Sequence, residues 1–165
     1  MMQKGKGMEI RPLISEDREK LQTMLRETRM FHPEEIAVAM DLIDIALKDP
    51  NQKDYRIYCA VNGQGHPAGF ICFGPIPITR GAFDLYWIVV DPKYQGRKIG
   101  SGLLGFLEEE VRESKGRMIL IDTSSIPPYE RTRSVYLKKG YQEVARVPDF
   151  YWPGNDRITY CKRVR

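Results

Sequence analysis

Residues 87 to 104 read Trp87-Ile-Val-Val-Asp-Pro-Lys-Tyr-Gln-Gly-Arg-Lys-Ile-Gly-Ser-Gly-Leu-Leu104. An apolar run ends at Asp91-Pro92, a basic glycine-containing loop follows, and an amphipathic helical pattern begins. From Pro92 to Leu107 there is no Asp or Glu, whereas Lys93, Arg97 and Lys98 crowd the approach to the helix. A helix N-terminus carries about half a positive charge, so cations there are unfavourable by ~0.3–1 kcal/mol unless an anion offsets them. Unpaired backbone N–H groups beside such cations form a seat for a phosphate. An exposed basic turn is the plainer alternative. The coincidence of glycine, cation and helix start favours the anion site.

On either side of this stretch the periodicities are clear. Phe83 to Val90 is nearly all apolar, which predicts a central strand buried on both faces. The helix after the loop buries Leu103, Leu104, Leu107 and Val111, exposes Glu109, Glu110 and Glu113, and stops at Gly116. Upstream, Met8 to Leu13 reads as a strand and Ser15 as the cap of a helix reaching Arg29. Pro33 opens a second helix striped by Ile36, Met40, Ile43 and Leu47. Tyr55 to Val61 and Ala68 to Phe73 form a hairpin across Gly63-Gln-Gly65. Downstream come a buried strand from Met118 to Ile121, a helix from Tyr129 to Lys139 ended by Gly140, and strands near Tyr141 to Arg146 and Ile158 to Arg163. One α/β domain over residues 1–165 is expected, with 1–7 as a flexible N-terminal extension.

Composition narrows the classes of partner. The 165 residues carry 26 Lys plus Arg and 22 Asp plus Glu, a dispersed net charge of +4 that suits one polyanionic small molecule better than a nucleic-acid track. Cys59, Cys72 and Cys161 are odd in number, far apart and set in apolar runs, so a reduced, cytoplasmic chain without a metal site is expected. Neither a signal peptide nor a membrane span is evident.

Gly100-Ser-Gly102-Leu-Leu-Gly105 matches the GxGxxG spacing of dinucleotide-binding folds. That fingerprint needs its first glycine in the turn directly after the strand. Here the strand ends well before Gly100. Gly102 and Gly105 fall inside the helix, where close packing on the sheet is the expected reason for them.

Gln95-Gly96-Arg97-Lys98-Ile99-Gly100 resembles the signature of the GNAT superfamily of acyl-CoA-dependent N-acetyltransferases, with Lys98 where a glycine is usual. Asp84 to Pro92 resembles the family's preceding strand, and Thr132 to Tyr141 its late helix with the Tyr136-x-x-x-Gly140-aromatic ending. The implied fold is α/β: a mixed, mostly antiparallel sheet of six to seven strands flanked by about four helices, splayed between its two central strands.

The resemblance implies acetyl-CoA as the acyl donor, without a metal. Gln95, Gly96, Arg97, Lys98, Ile99, Gly100 and Ser101 would receive the pyrophosphate, and Ile88, Val89 and Val90 the pantetheine amides. Tyr136 would protonate the leaving thiolate, and a core tyrosine is its plainer alternative. Asp84 is a candidate base, with Asp122 as rival; His32 is more simply a surface residue. Ser124, beside Thr123 and Ser125, and the aromatic pair Tyr151 and Trp152 would line the acceptor site. The acceptor is a small-molecule or peptide amine, with neither nucleic acid nor membrane as partner. A homodimer stays open. So does a non-catalytic acyl-CoA-binding or sensing module on the same fold.

Overall fold

The computed structural model describes the backbone of residues 3–5 and all of residues 8–165. The elements are β1 (Gln3–Gly5), β2 (Met8–Pro12), α1 (Arg18–Glu27), α2 (Pro33–Lys48), β3 (Arg56–Val61), β4 (Pro67–Pro75), β5 (Ala82–Val90), α3 (Ile99–Glu113), β6 (Met118–Ser124), α4 (Glu130–Lys138), β7 (Gln142–Trp152) and β8 (Asn155–Arg163). Of the extension expected over residues 1–7, residues 3–5 form β1, antiparallel to the start of β2, and residues 1, 2, 6 and 7 lie outside the described residues. The chain divides into two compact units, residues up to Gly74 with Trp87–Leu107, and Pro75–Tyr86 with Glu108–Arg165. Strand β5 and helix α3 each contribute to both.

In the first unit β1, β2, β3 and β4 run as an antiparallel meander. Leu21, Met24 and Leu25 on α1 and Ala39, Met40 and Ile43 on α2 pack against Ile57, Cys59, Val61, Phe70 and Cys72 of the sheet. Burying each large side chain of that stripe is worth roughly 1.5–3 kcal/mol. α2 opens as expected at Pro33, and Glu35 turns back to accept the His32 N–H at 3.1 Å. α1 does not open at Ser15. A 3-10 turn covers Ser15–Asp17, and the buried Asp17 carboxylate accepts the Ile14 N–H while Arg11 grips both its oxygens at 2.7 and 2.9 Å. A charged acceptor clamped by a guanidinium displaces the serine hydroxyl as cap. In β4, a Cβ on Gly69 would stand 2.9 Å from the Val89 carbonyl oxygen, so only glycine lets the two backbones approach there.

In the second unit β5 pairs parallel with β6, and β6, β8 and β7 follow antiparallel. The β5–β6 ladder runs from Ala82↔Met118 to Leu85↔Ile121 and goes no further among the described residues, while β6 continues on β8 to Ser124↔Arg157. Phe83, Leu85, Ile119, Ile121, Ile158 and Tyr160 make the buried side. The other side is open: Asp84 is half-buried and Tyr86 is 43% exposed, which corrects the expectation that β5 is covered on both faces. Strand β7 outruns its expected end at Arg146, reaching Trp152, and all eleven of its residues are exposed. The Tyr151–Trp152 pair therefore belongs to a strand end, and the turn is Pro153-Gly154, with Gly154 at φ +85°.

Cys59, Cys72 and Cys161 are free, and burial raises the thiols of the first two, Cys72 to about 12. No helix among the described residues is long and apolar enough to cross a membrane.

Candidate active site

The basic loop leaves the end of β5 through Asp91, whose N–H donates to Ala68 O at 2.8 Å. The Asp91 side chain caps the short turn Pro92–Tyr94 by accepting the Lys93 N–H at 3.0 Å. It is wholly buried, and the ammonium of Lys20 on α1 reaches it at 2.9 Å. Burial pushes the Asp91 carboxyl up, but the Lys93 N–H and the Lys20 charge outweigh it and hold the group below the ordinary carboxylate range. Asn62 donates to the Tyr94 hydroxyl at 3.0 Å, and the Arg97 guanidinium lies 5.2 Å over the Tyr94 ring. The rim of the loop is thereby tied to β4, α1 and the β3–β4 turn.

From Gln95 to Lys98 the loop is exposed, and it turns on two left-handed residues, Gly96 at φ +82° and Lys98 at φ +61°. Lys98 thus occupies a backbone conformation that favours glycine, at a cost of roughly 1–2 kcal/mol. The first α-helical bond of α3 runs from Gly102 N to Lys98 O at 3.0 Å, so the amides of Ile99, Gly100 and Ser101 precede the intrahelical ladder. A Cβ on Gly96 or Gly102 would meet nothing within 4 Å, and one on Gly100 only Val90 at 3.7 Å. Close packing is therefore not what Gly102 serves. The glycines leave an uncovered cradle of backbone amides beside Arg97 and Lys98, and its donor set fits a pyrophosphate. The expected residues Ile88, Val89, Val90 and Gln95 to Ser101 all lie in the first unit, as one strand end running into this cradle.

The other expected residues lie in the second unit. Asp84, opposite Leu120, shares a sheet face with Asp122, which accepts the Thr159 hydroxyl. Burial raises the Asp84 carboxyl, and the charge of Asp122 adds to it. Tyr136 is 4% exposed, with ring centroids 5.8 Å from Tyr160 and 6.1 Å from Tyr141, and burial raises its phenol. Such a phenol holds its proton at neutral pH, as an acid must. Ser124 is buried, with its hydroxyl donated to Asn155 Oδ1 and its carbonyl taking Arg133 Nη1 at 2.7 Å. That ties Ser124 to the β6–β8 framework. Phe150, Tyr151 and Trp152 form an edge-on row with centroids 5.0 and 6.5 Å apart. The Arg157 guanidinium lies 4.4 Å over Phe150.

Sequence reasoning missed Lys20, Asp91, Asn62 and Arg157. The Asp91-Pro92 pair carried a cap signal; the others act through contacts between segments distant in the chain.

The acetyltransferase (GNAT) domain model matches residues 53–143. A protein assigned to the GNAT family of acetyltransferases from Desulfovibrio desulfuricans is 34% identical, covering 94% of this chain and 98% of its own, at a TM-score of 0.89. The chain belongs to the GNAT acetyltransferase family. Two more distant structures share the fold: an aminoglycoside 6'-N-acetyltransferase complexed with coenzyme A, 20% identical over 94% of this chain and 97% of that one at TM-score 0.73, and the ribosomal-protein-S18-alanine N-acetyltransferase of Escherichia coli, 18% identical over 94% and 92% at TM-score 0.74. Among curated proteins, none matches the chain in sequence. Family membership supports acyl transfer in general.

Proposed function

We propose that the chain is an acetyl-CoA-dependent N-acetyltransferase acting on a primary amine by direct attack in a ternary complex. The observation that carries this reading is the open cradle of amides at Gly96 to Ser101, flanked by Arg97 and Lys98 and tied down through Asp91. Gln95 to Ser101 would hold the CoA pyrophosphate, and the backbone of Ile88, Val89 and Val90 the pantetheine amides. The complex of a distant relative with coenzyme A supports that choice of donor.

Bound acetyl-CoA supplies a thioester, which the neutral amine attacks, so that a C–N bond forms as the C–S bond breaks. Asp84 takes the proton the amine loses, directly or through water; its raised carboxyl is a stronger base than an ordinary aspartate. Tyr136 gives its proton to the departing thiolate. Tyr151 and Trp152 present π-faces toward a cationic acceptor. Ser124 serves the acceptor side through the strand it steadies. The buried free thiols of Cys59 and Cys72 support a reducing, cytoplasmic setting.

A thermal-shift titration with acetyl-CoA, with NAD and ATP in parallel, tests the donor. A ligand at a hundred times its Kd adds about 2.7 kcal/mol, and each kcal/mol moves the midpoint by roughly 2–4 °C for a domain of this size. A shift with acetyl-CoA alone is expected. A shift only with NAD, or none with acetyl-CoA, would refute the reading. Release of free CoA on adding amines then separates the enzyme from a binding module.

A further inference from the structure

Arg157 is a half-buried cation that, among the described residues, no carboxylate grips. Its Nε is buried without a hydrogen-bond partner, and among the described residues no hydrogen bond or ion pair engages the guanidinium, which instead lies 4.4 Å over the Phe150 ring. Two carboxylates close in chain or register already accept hydrogen bonds: Asp156, the preceding residue, accepts from the Asp149 N–H and from Arg146 Nη1, and Asp122 accepts from the Thr159 hydroxyl. A guanidinium with one face on an aromatic ring and its donors unengaged is a receptor for a planar, bidentate anion.

The register places Arg157 on a chemically divided face. Arg157 lies opposite Ser124 and Thr159 opposite Asp122, so Asp122 and Arg157 are diagonal neighbours on the same side of β6 and β8. Diagonal neighbours in an antiparallel pair are about 7–8 Å apart, within reach of long side chains. Asp84, opposite Leu120, continues the diagonal on that side. One sheet face of the second unit therefore carries two carboxylates and, diagonal to them, a guanidinium with no hydrogen bond or ion pair of its own among the described residues.

We propose that Arg157 receives the carboxylate of the acceptor, so that the substrate class is a zwitterion: an amino acid or short peptide whose amine faces Asp84 and Asp122. This rests on the acetyltransferase reading above. It sets the chain apart from enzymes of polycationic acceptors, which Arg157 would repel. The reaction balances as before: the amine nitrogen gains the acetyl group and loses a proton to Asp84, CoA leaves as the thiol, and the carboxylate is unchanged.

The test uses the full chain and two readouts. Release of CoA thiol is followed with the twenty common amino acids, their carboxamides, glycyl dipeptides, spermidine and kanamycin. Binding of the N-acetylated form of the best acceptor and of its carboxamide is measured by calorimetry without acetyl-CoA. The expected result is a kcat/KM at least tenfold higher for a carboxylate than for its amide, with a matching preference in binding. Arg157→Met should erase both preferences through KM and leave the Kd for acetyl-CoA unchanged, and Arg157→Lys should retain part of each preference. Preference for spermidine, kanamycin or the amides overturns the proposal while acetyl transfer stands. So does acetyl-CoA binding with no carboxylate-bearing acceptor turned over. Loss of acetyl-CoA binding in the wild-type protein would instead overturn the reading beneath it.

Discussion

Lys20 Nζ lies 2.9 Å from Oδ2 of Asp91, a carboxylate with no solvent exposure at the root of the basic loop. Helix α1 is thus tied by charge to the segment that shapes the cradle. Removing one partner of such a pair leaves a buried charge uncompensated. Lys20→Met should destabilise the protein by about 2 kcal/mol, less than for a fully enclosed pair because the lysine is partly hydrated. The double variant Lys20→Met, Asp91→Asn should recover most of the loss, since asparagine still caps the turn. Because the Asp91 carboxyl is held low, its stabilisation is present above the ordinary Asp value of about 3.9 and is lost as pH falls through the folded value. Melting curves from pH 7 to 2 should show the wild type losing more stability than Lys20→Met in the acid range. Parallel curves would mean that the pair contributes nothing.

Lys98 joins a strained backbone to a useful charge. Lys98→Gly removes the left-handed penalty of roughly 1–2 kcal/mol, offset in part by the greater freedom of glycine in the unfolded chain. We expect a net gain of about 0.5–1 kcal/mol in stability together with several-fold weaker acetyl-CoA binding. Melting and a binding titration on the same variant decide it. Tighter binding would show that Lys98 does not face the phosphates.

For Asp84, the raised carboxyl means that the native protein favours the protonated form. That stabilisation is complete below the ordinary Asp value of about 3.9 and is lost as pH rises through the folded value. Asp84→Asn should therefore melt higher than wild type at pH 7, with the difference closing below about pH 4. The same variant should lose the acid limb of the kcat/KM profile. An unchanged limb would exclude Asp84 as the base.

Two neighbouring tyrosines should respond in opposite ways. Tyr136→Phe is expected to lower kcat by at least about tenfold, within the usual range for losing a general acid, with the acetyl-CoA Kd unchanged. The Tyr141 hydroxyl is buried and finds no hydrogen-bond partner among the described residues, so Tyr141→Phe removes an unsatisfied group and should raise stability by about 1 kcal/mol. Equal turnover in wild type and Tyr136→Phe would return Tyr136 to a packing role.

The order of elements and the basic loop were legible because each rests on local signals. Leu103, Leu104, Leu107 and Val111 repeat with the helical period, and Gly96, Arg97 and Lys98 crowd a helix start. What escaped the sequence depends on contacts across the chain. Asp17 displaces Ser15 as a cap only because Arg11, on β2, reaches it. Strand β7 extends to Trp152 although no residue of it is buried, so no alternation of apolar and polar residues could mark its end. Gly102 invited a packing explanation, yet the structure surrounds it with open space. Arg157 is unremarked in sequence because an arginine is informative only once its neighbours are known to be otherwise engaged.

Strand β7, with neither face buried, has its register set by its ladder to β8 and by the turn at Gly154 rather than by a packed core. Apart from Arg146, paired with Glu143 and Asp156, and Asp149, which accepts the Gly154 N–H, exposed residues of this strand can be exchanged at small thermodynamic cost, as for surface substitutions generally. They include Phe150, the ring on which Arg157 rests. The surface proposed to choose the acceptor is thus also the one where inheritance is freest to experiment, so descendants of this scaffold can change what they acetylate while leaving the donor cradle untouched.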